Sequence, residues 1–251
     1  MTNIYHIVHF DYDDSIYVYF DGCNLKCKGC IMKITRWDPH LPLDVRNKLE
    51  LIDQGKNLSL HDLRNMLESS SARRAVLTGG EPTVDEELPS VVKLFSDSGM
   101  ETILFTNGNL LDAELIERLE DAGLDIVYVS IKAYSDFIHK HYTGHSNKRS
   151  LKNFRLLKRS KIELRAGTIL IPGLVDIDEI ERLSKFIAGI DPNIELRIAA
   201  YVPVPNAPWR SPTKDEVAKA AQVASRYLKN VYYTHSGMDL IGEFHVVYPK
   251  L

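Results

Sequence analysis

Cysteine is nearly absent from this chain of 251 residues: there are only three, all between positions 23 and 30. An odd, tightly clustered set argues against a disulfide framework and points to metal or redox chemistry. No apolar run approaches the ~20 residues of a membrane-spanning helix. The amino terminus, Met1-Thr-Asn-Ile-Tyr-His, lacks the basic-then-apolar pattern of a signal peptide. The expectation is a cytoplasmic protein with no membrane partner. Positive charge is not in excess either: the formal net charge of −3 gives no electrostatic ground for nucleic acid as a partner. The one basic stretch, running from Lys148 to Lys161, is interleaved with Leu151, Phe154 and Leu157. That is the spacing of a solvated face on an amphipathic helix. Repeats, low-complexity tracts and linkers are also missing, so residues 1–251 are expected to form one domain.

What is present is an ordinary globular composition, 44% apolar and 26% charged. Strand-like and helix-like stretches alternate along it. Residues 16–20, 75–77, 102–105, 125–131, 162–171, 194–200 and 231–234 have the pattern of strands. Residues 60–69, 86–98, 112–122, 150–159, 178–188 and 214–228 have that of helices. Residues 33–59, with Trp37, Pro39 and Pro42, are loop-rich. Seven strands alternating with helices imply α/β architecture with a parallel sheet, better fitted by a partial (β/α) barrel than by a doubly wound sheet. In either case the chemistry belongs at the C-terminal ends of the strands.

The cysteines follow the first of these strands, in Asp21-Gly-Cys23-Asn-Leu-Lys-Cys27-Lys-Gly-Cys30. Thiols this close together can wrap three corners of one iron–sulfur cluster. A cuboidal cluster normally takes four thiolates, so three leave one iron open to a further ligand. The competing reading is structural zinc, for which no second paired ligand motif exists and His9 or His40 would have to be recruited. Four later strand ends carry further candidates. Gly79-Gly80-Glu81 offers close backbone approach and a carboxylate. Thr106-Asn107 forms a turn. Ser130 and Lys132 project to one face by period-two alternation. Arg165 is placed inside or at the mouth, suited to a carboxylate. Plain turn chemistry is the alternative for Thr106, Asn107 and Ser130, and a structural ion pair for Lys132 and Arg165. No catalytic side chain is nominated.

The C-x3-C-x2-C spacing together with Leu77-Thr-Gly-Gly-Glu-Pro82 resembles the radical S-adenosylmethionine (SAM) superfamily. The resemblance implies a partial barrel, a [4Fe-4S] cluster on Cys23, Cys27 and Cys30, and SAM chelated to the open iron. Reduction of such a cluster, by a donor such as flavodoxin or ferredoxin, cleaves SAM to methionine and a 5′-deoxyadenosyl radical that abstracts hydrogen from substrate. Gly79, Gly80 and Glu81 would then serve the SAM ammonium, and Thr106 and Asn107 its carboxylate and ribose. Within the superfamily, residues 16–233 are most similar to glycyl-radical-enzyme activating enzymes. That likeness is carried by Gly22–Cys27, Leu77–Pro82, His141-Tyr-Thr-Gly144, Asn147, Leu151–Asn153, Arg165, Ile171-Pro-Gly173 and Asp176. It implies a glycine Cα–H on a partner glycyl radical enzyme as substrate. A small molecule or another peptide side chain is the second possibility, and a zinc-stabilised binding module a third. The chain departs from the activases at Gly29, usually aromatic, at Ile31-Met32, and at Phe105 and Ser130, where the type enzyme carries carboxylates.

Overall fold

The computed structural model describes residues 1–52, 57–68, 70–235 and 242–251. Residues 53–56 of the loop-rich stretch and Ser69, the last residue of the first expected helix, lie outside the described residues. Among the described residues nine strands form one sheet: β1 (Ile4–Phe10), β2 (Ser15–Phe20), β3 (Arg74–Gly79), β4 (Glu101–Thr106), β5 (Ile126–Ser130), β6 (Glu163–Leu170), β7 (Leu196–Ala200), β8 (Val231–Thr234) and β9 (Phe244–Tyr248). Their order is β8-β7-β6-β5-β4-β3-β2-β1-β9. From β2 to β8 every neighbouring pair is parallel. These are the seven strands expected from the sequence.

The wholly parallel sheet needs correcting at one edge. β1 pairs antiparallel with β2, and β9 antiparallel with β1. β1 leaves no period-two signal because both of its faces are buried, and its two histidines interrupt the apolar run. Among the described residues eight α-helices accompany the sheet: α1 (Leu43–Leu51), α2 (Leu60–Leu67), α3 (Leu88–Asp97), α4 (Ala113–Asp121), α5 (Asp136–Thr143), α6 (Lys148–Leu157), α7 (Ile177–Ala188) and α8 (Lys214–Ala224). Two of them, α1 and α5, fall where no helical period is visible in the sequence. α1 opens after Pro42 and buries only Leu49. α5 buries the polar His139 and Thr143 beside Tyr142, so its inward face does not look apolar in sequence. Among the described residues no helix is long and apolar enough to cross a membrane.

Alternation along the strands divides the core in two. One face meets the helices: Leu77, Leu104, Val127, Val129, Ala166 and Ile198 are buried there with Leu88, Val91, Val92 and Phe95 of α3. The i, i+3, i+4, i+7 spacing on α3 is what makes that contact possible. The other, inner face is lined by Tyr17, Val76, Ile103, Phe105, Ile126 and Tyr128. At the antiparallel edge it is covered by Trp37, Leu41 and Leu49, which pack on Tyr5, Val8, Phe10 and Tyr19. The C-terminal strand ends stand above this inner face, and the cysteine loop springs from β2 among them.

Candidate active site

The loop after β2 is fixed to its neighbours by backbone contacts that only glycine permits. Gly80 N–H donates to Phe20 O (2.8 Å) and Glu81 N–H to Gly22 O (2.8 Å). A Cβ on Gly80 would lie 2.0 Å from Gly22 O, and Gly79 has φ +103°. The two glycines therefore let the cysteine loop close onto the tip of β3; the close approach expected for a ligand is made by the protein's own chain.

The same tip carries Glu81, 1% exposed. Its Oε1 accepts from Thr106 Oγ1 (2.6 Å), Thr83 Oγ1 (2.6 Å) and Thr83 N (3.2 Å), and its Oε2 from Asn107 N (2.7 Å). Burial pushes its carboxyl above the usual carboxylate range, while these hydrogen bonds pull it back. In this geometry both oxygens are engaged in tying β3 to β4, so the free carboxylate expected opposite the SAM ammonium is not presented. Asn107 extends the tie: its Nδ2 donates to Asn24 Oδ1 (2.7 Å), and Asn24 Nδ2 donates to Asn109 Oδ1 (3.1 Å). Asn24, inside the cysteine loop, is a positioning residue that the thiol spacing alone did not single out.

The far side of the loop is held by α5. Lys26 N–H donates to Thr143 O (2.9 Å), Lys28 N–H to Tyr142 O (2.8 Å), and Tyr142 Oη to Gly29 O (3.0 Å). The space beside Gly29 is taken by two tyrosines. A Cβ there would meet Tyr201 at 2.7 Å and the Tyr142 hydroxyl at 2.9 Å. The aromatic side chain that the activases carry at this position is thus excluded by rings arriving from α5 and from the segment after β7.

Burial pushes the Cys27 thiol up to about 11 and raises Cys23 too; the Lys132 ammonium opposes both shifts. Lys132 Nζ is held by Ser130 Oγ (2.7 Å), so the two residues predicted on one face do act together beside the thiols. Three thiols in one loop, Cys23 exposed and Cys27 and Cys30 half-buried, with one ammonium beside them suit a cationic metal group. A cuboidal cluster takes each thiolate on a different iron, which suits three cysteines on one loop, and the chain has no fourth cysteine to complete a tetrahedral four-cysteine zinc site.

Arg165 is corrected by the structure. It is third in β6, in register with Tyr128 rather than with Ser130. It bonds Glu163 Oε1 (2.6 Å) and Tyr128 Oη (3.1 Å). It lines a cavity of ≈ 390 Å³ with Glu163, Asp191 and Glu195 at the N-terminal ends of the strands, opposite the cysteine loop. At ~3.3 Å per residue, the five residues beyond it put the strand tip about 16 Å away. The guanidinium on the inner face nearer the mouth is Arg197, in register with Gly167 and therefore in line with Ser130. It makes no hydrogen bond or ion pair among the described residues, and its charge is felt by the Tyr17 hydroxyl on β2. Its signal in the sequence was a lone charge at an inward position of Leu196-Arg-Ile-Ala-Ala200.

Residues 17–187 match the radical SAM superfamily, and the chain belongs to it: it is a radical SAM oxidoreductase built as a partial α/β barrel. Membership implies a [4Fe-4S] cluster and SAM as cofactors. The chain is 30% identical over 230 residues to a Methanocaldococcus jannaschii protein provisionally named as a glycyl-radical enzyme activating enzyme, covering 90% of this chain and 82% of that one. A second protein of that organism, similarly named, is 22% identical over 228 residues, covering 86% and 87%. Among solved structures, Streptococcus suis SuiB bound to SAM superposes with a TM-score of 0.66 at 15% identity. The match covers 86% of this chain and 48% of SuiB, so the chain spans about half of that protein. A domain of pyruvate-formate lyase-activating enzyme from Bacteroides vulgatus gives 0.52 at 17% identity, covering 59% and 90%. Both structural likenesses speak to the fold.

Proposed function

We propose that this enzyme abstracts hydrogen from a glycine Cα of a partner protein, in the manner of a glycyl-radical-enzyme activase. The observation that carries the reading is the role of His141-Tyr-Thr-Gly144, one of the stretches most like the activases: Tyr142 and Thr143 supply the carbonyls that clamp the cysteine loop. The 30% identical relative, similar along most of both chains, supports it. Cys23, Cys27 and Cys30 would hold the [4Fe-4S] cluster, which with SAM at its open iron supplies a 5′-deoxyadenosyl radical when reduced. Asn24 and Asn107 fix the loop that carries those thiols. Ser130 holds the Lys132 ammonium beside them, where it would offset thiolate charge and serve the SAM carboxylate. The exposed Lys26, Lys28 and Lys33 make the outer side of the loop cationic, a face suited to an acidic reductant such as flavodoxin or ferredoxin.

A second reading is favoured by Arg197. A guanidinium on the inner face with no ion pair among the described residues suits a small-molecule acid better than an uncharged glycine loop. The experiment that separates them uses reduced, cluster-loaded protein with SAM and a glycyl radical enzyme from the same organism, where one is encoded. A doublet electron paramagnetic resonance signal on the partner, collapsing when its glycine is deuterated, supports the activase. Formation of 5′-deoxyadenosine coupled to loss of a small acid, with no protein radical, replaces it with the second reading.

A further inference from the structure

On the antiparallel edge, away from the cysteine loop, the sequence repeats one pattern in reverse: His9-Phe-Asp11 on β1 and its turn, Glu243-Phe-His245 leading into β9. The register pairs His9 with His245 and Phe10 with Phe244, and Asp11 N–H donates to Glu243 O (3.1 Å). Period-two alternation then sends both phenylalanines to one face, where their rings meet at 6.4 Å. Two imidazoles and two carboxylates are left on the other. Asp11, Glu243 and His245 bring one ligand atom each to within 4.8 Å of one another. Asp11 Oδ2 is 3.2 Å from His245 Nε2. Asp11 Oδ1 is 3.3 Å from His9 Nδ1, and the His9 and His245 rings stack at 6.3 Å. His9 Nε2 lies 3.7 Å from Asp14 Oδ1 and makes no hydrogen bond among the described residues.

We propose that this array is a second metal site, separate from the cysteines, which takes a divalent transition ion of the zinc class. Asp11, Glu243 and His245 are its ligands and His9 orients Asp11. Mixed imidazole and carboxylate donors fit zinc, whereas magnesium and calcium prefer oxygen alone. His9 Nδ1, 3.3 Å from Asp11 Oδ1, supports that ligating carboxylate from outside the metal's own ligand set, where ligating carboxylates are commonly held by a further polar group. The ion would bridge β1 and β9 and so pin the C-terminal strand to the sheet.

The test is zinc titration of the cluster-loaded protein, whose thiols are occupied, after loosely held metal is removed with EDTA. The expected result is one Zn²⁺ per chain beyond the iron, with a rise in melting temperature and no change in the cluster's visible absorption. His245→Ala and Glu243→Gln should each weaken zinc binding about 100-fold, and His9→Ala about 10-fold. All three positions lie at the sheet edge, so iron content should stay at the wild-type value and report that the variants fold. Absence of a stoichiometric zinc site in the wild type, or equal affinity in wild type, His245→Ala and Glu243→Gln, overturns the proposal.

Discussion

Two single residues in this chain carry consequences out of proportion to their size. Gly80 has the carbonyl oxygen of Gly22 where its Cβ would be, and neither partner is a flexible side chain. Gly80→Ala should therefore push the cysteine loop off β3, lowering unfolding free energy by about 1–3 kcal/mol or more and cutting iron incorporation. Gly189→Ala, whose Cβ would meet atoms no nearer than 3.4 Å, is the control and should be near neutral. Full iron loading of Gly80→Ala would contradict the close approach.

The other residue is His6, fully buried on the inner face with Nδ1 on Tyr248 O at 2.8 Å. Burial lowers its pKa from 6.5 to about 4. The folded protein keeps it neutral while the unfolded chain protonates below 6.5, so this stability is present above pH 6.5 and lost as pH falls through about 4. Between pH 7 and 5 the loss should be about 2 kcal/mol, on 1.36 kcal/mol per pKa unit. Denaturant unfolding of wild type and His6→Phe at both pH values would show it as the difference in slopes. Equal slopes would mean that His6 does not titrate as described.

At the scale of elements, the site is a set of strand tips tied together by short polar links. Asn24 is the link between the cysteine loop and β4, through Asn107 and Asn109. Asn24→Ala leaves two amide groups without these partners and should cost about 1–3 kcal/mol. Iron content per chain, measured after reconstitution, should fall with it; unchanged iron and unchanged stability would show that α5 and the tip of β3 hold the loop without Asn24.

The parallel strands and the amphipathic helices were legible because their apolar residues repeat at the strand or helix period. β1 and α5 were not, because one is buried on both faces and the other buries His139 and Thr143. Arg165 shows the limit of reading alternation without register. Its inward direction followed from the pattern, but its depth depended on pairing with Tyr128. Glu81 shows another limit: its place beside the loop was legible, whereas the four hydrogen bonds that occupy it come from residues on another strand and a following turn.

For the whole molecule, the fold brings the cysteine loop, the tips of β3 to β5 and α5 around one end of a partial barrel whose inner face is aromatic on one side and carries Arg197 on the other. In the proposed function, Cys23, Cys27 and Cys30 together hold the cluster that cleaves SAM. The most direct measurement is 5′-deoxyadenosine formed by anaerobically reconstituted, reduced protein, with iron counted in the same sample. Wild type should be brown, carry about four irons per chain and release 5′-deoxyadenosine. Cys23→Ala, Cys27→Ala and Cys30→Ala should each lose the cluster and the product. A colourless wild type with stoichiometric zinc on these cysteines, or full cleavage by any one of the three variants, would contradict the account.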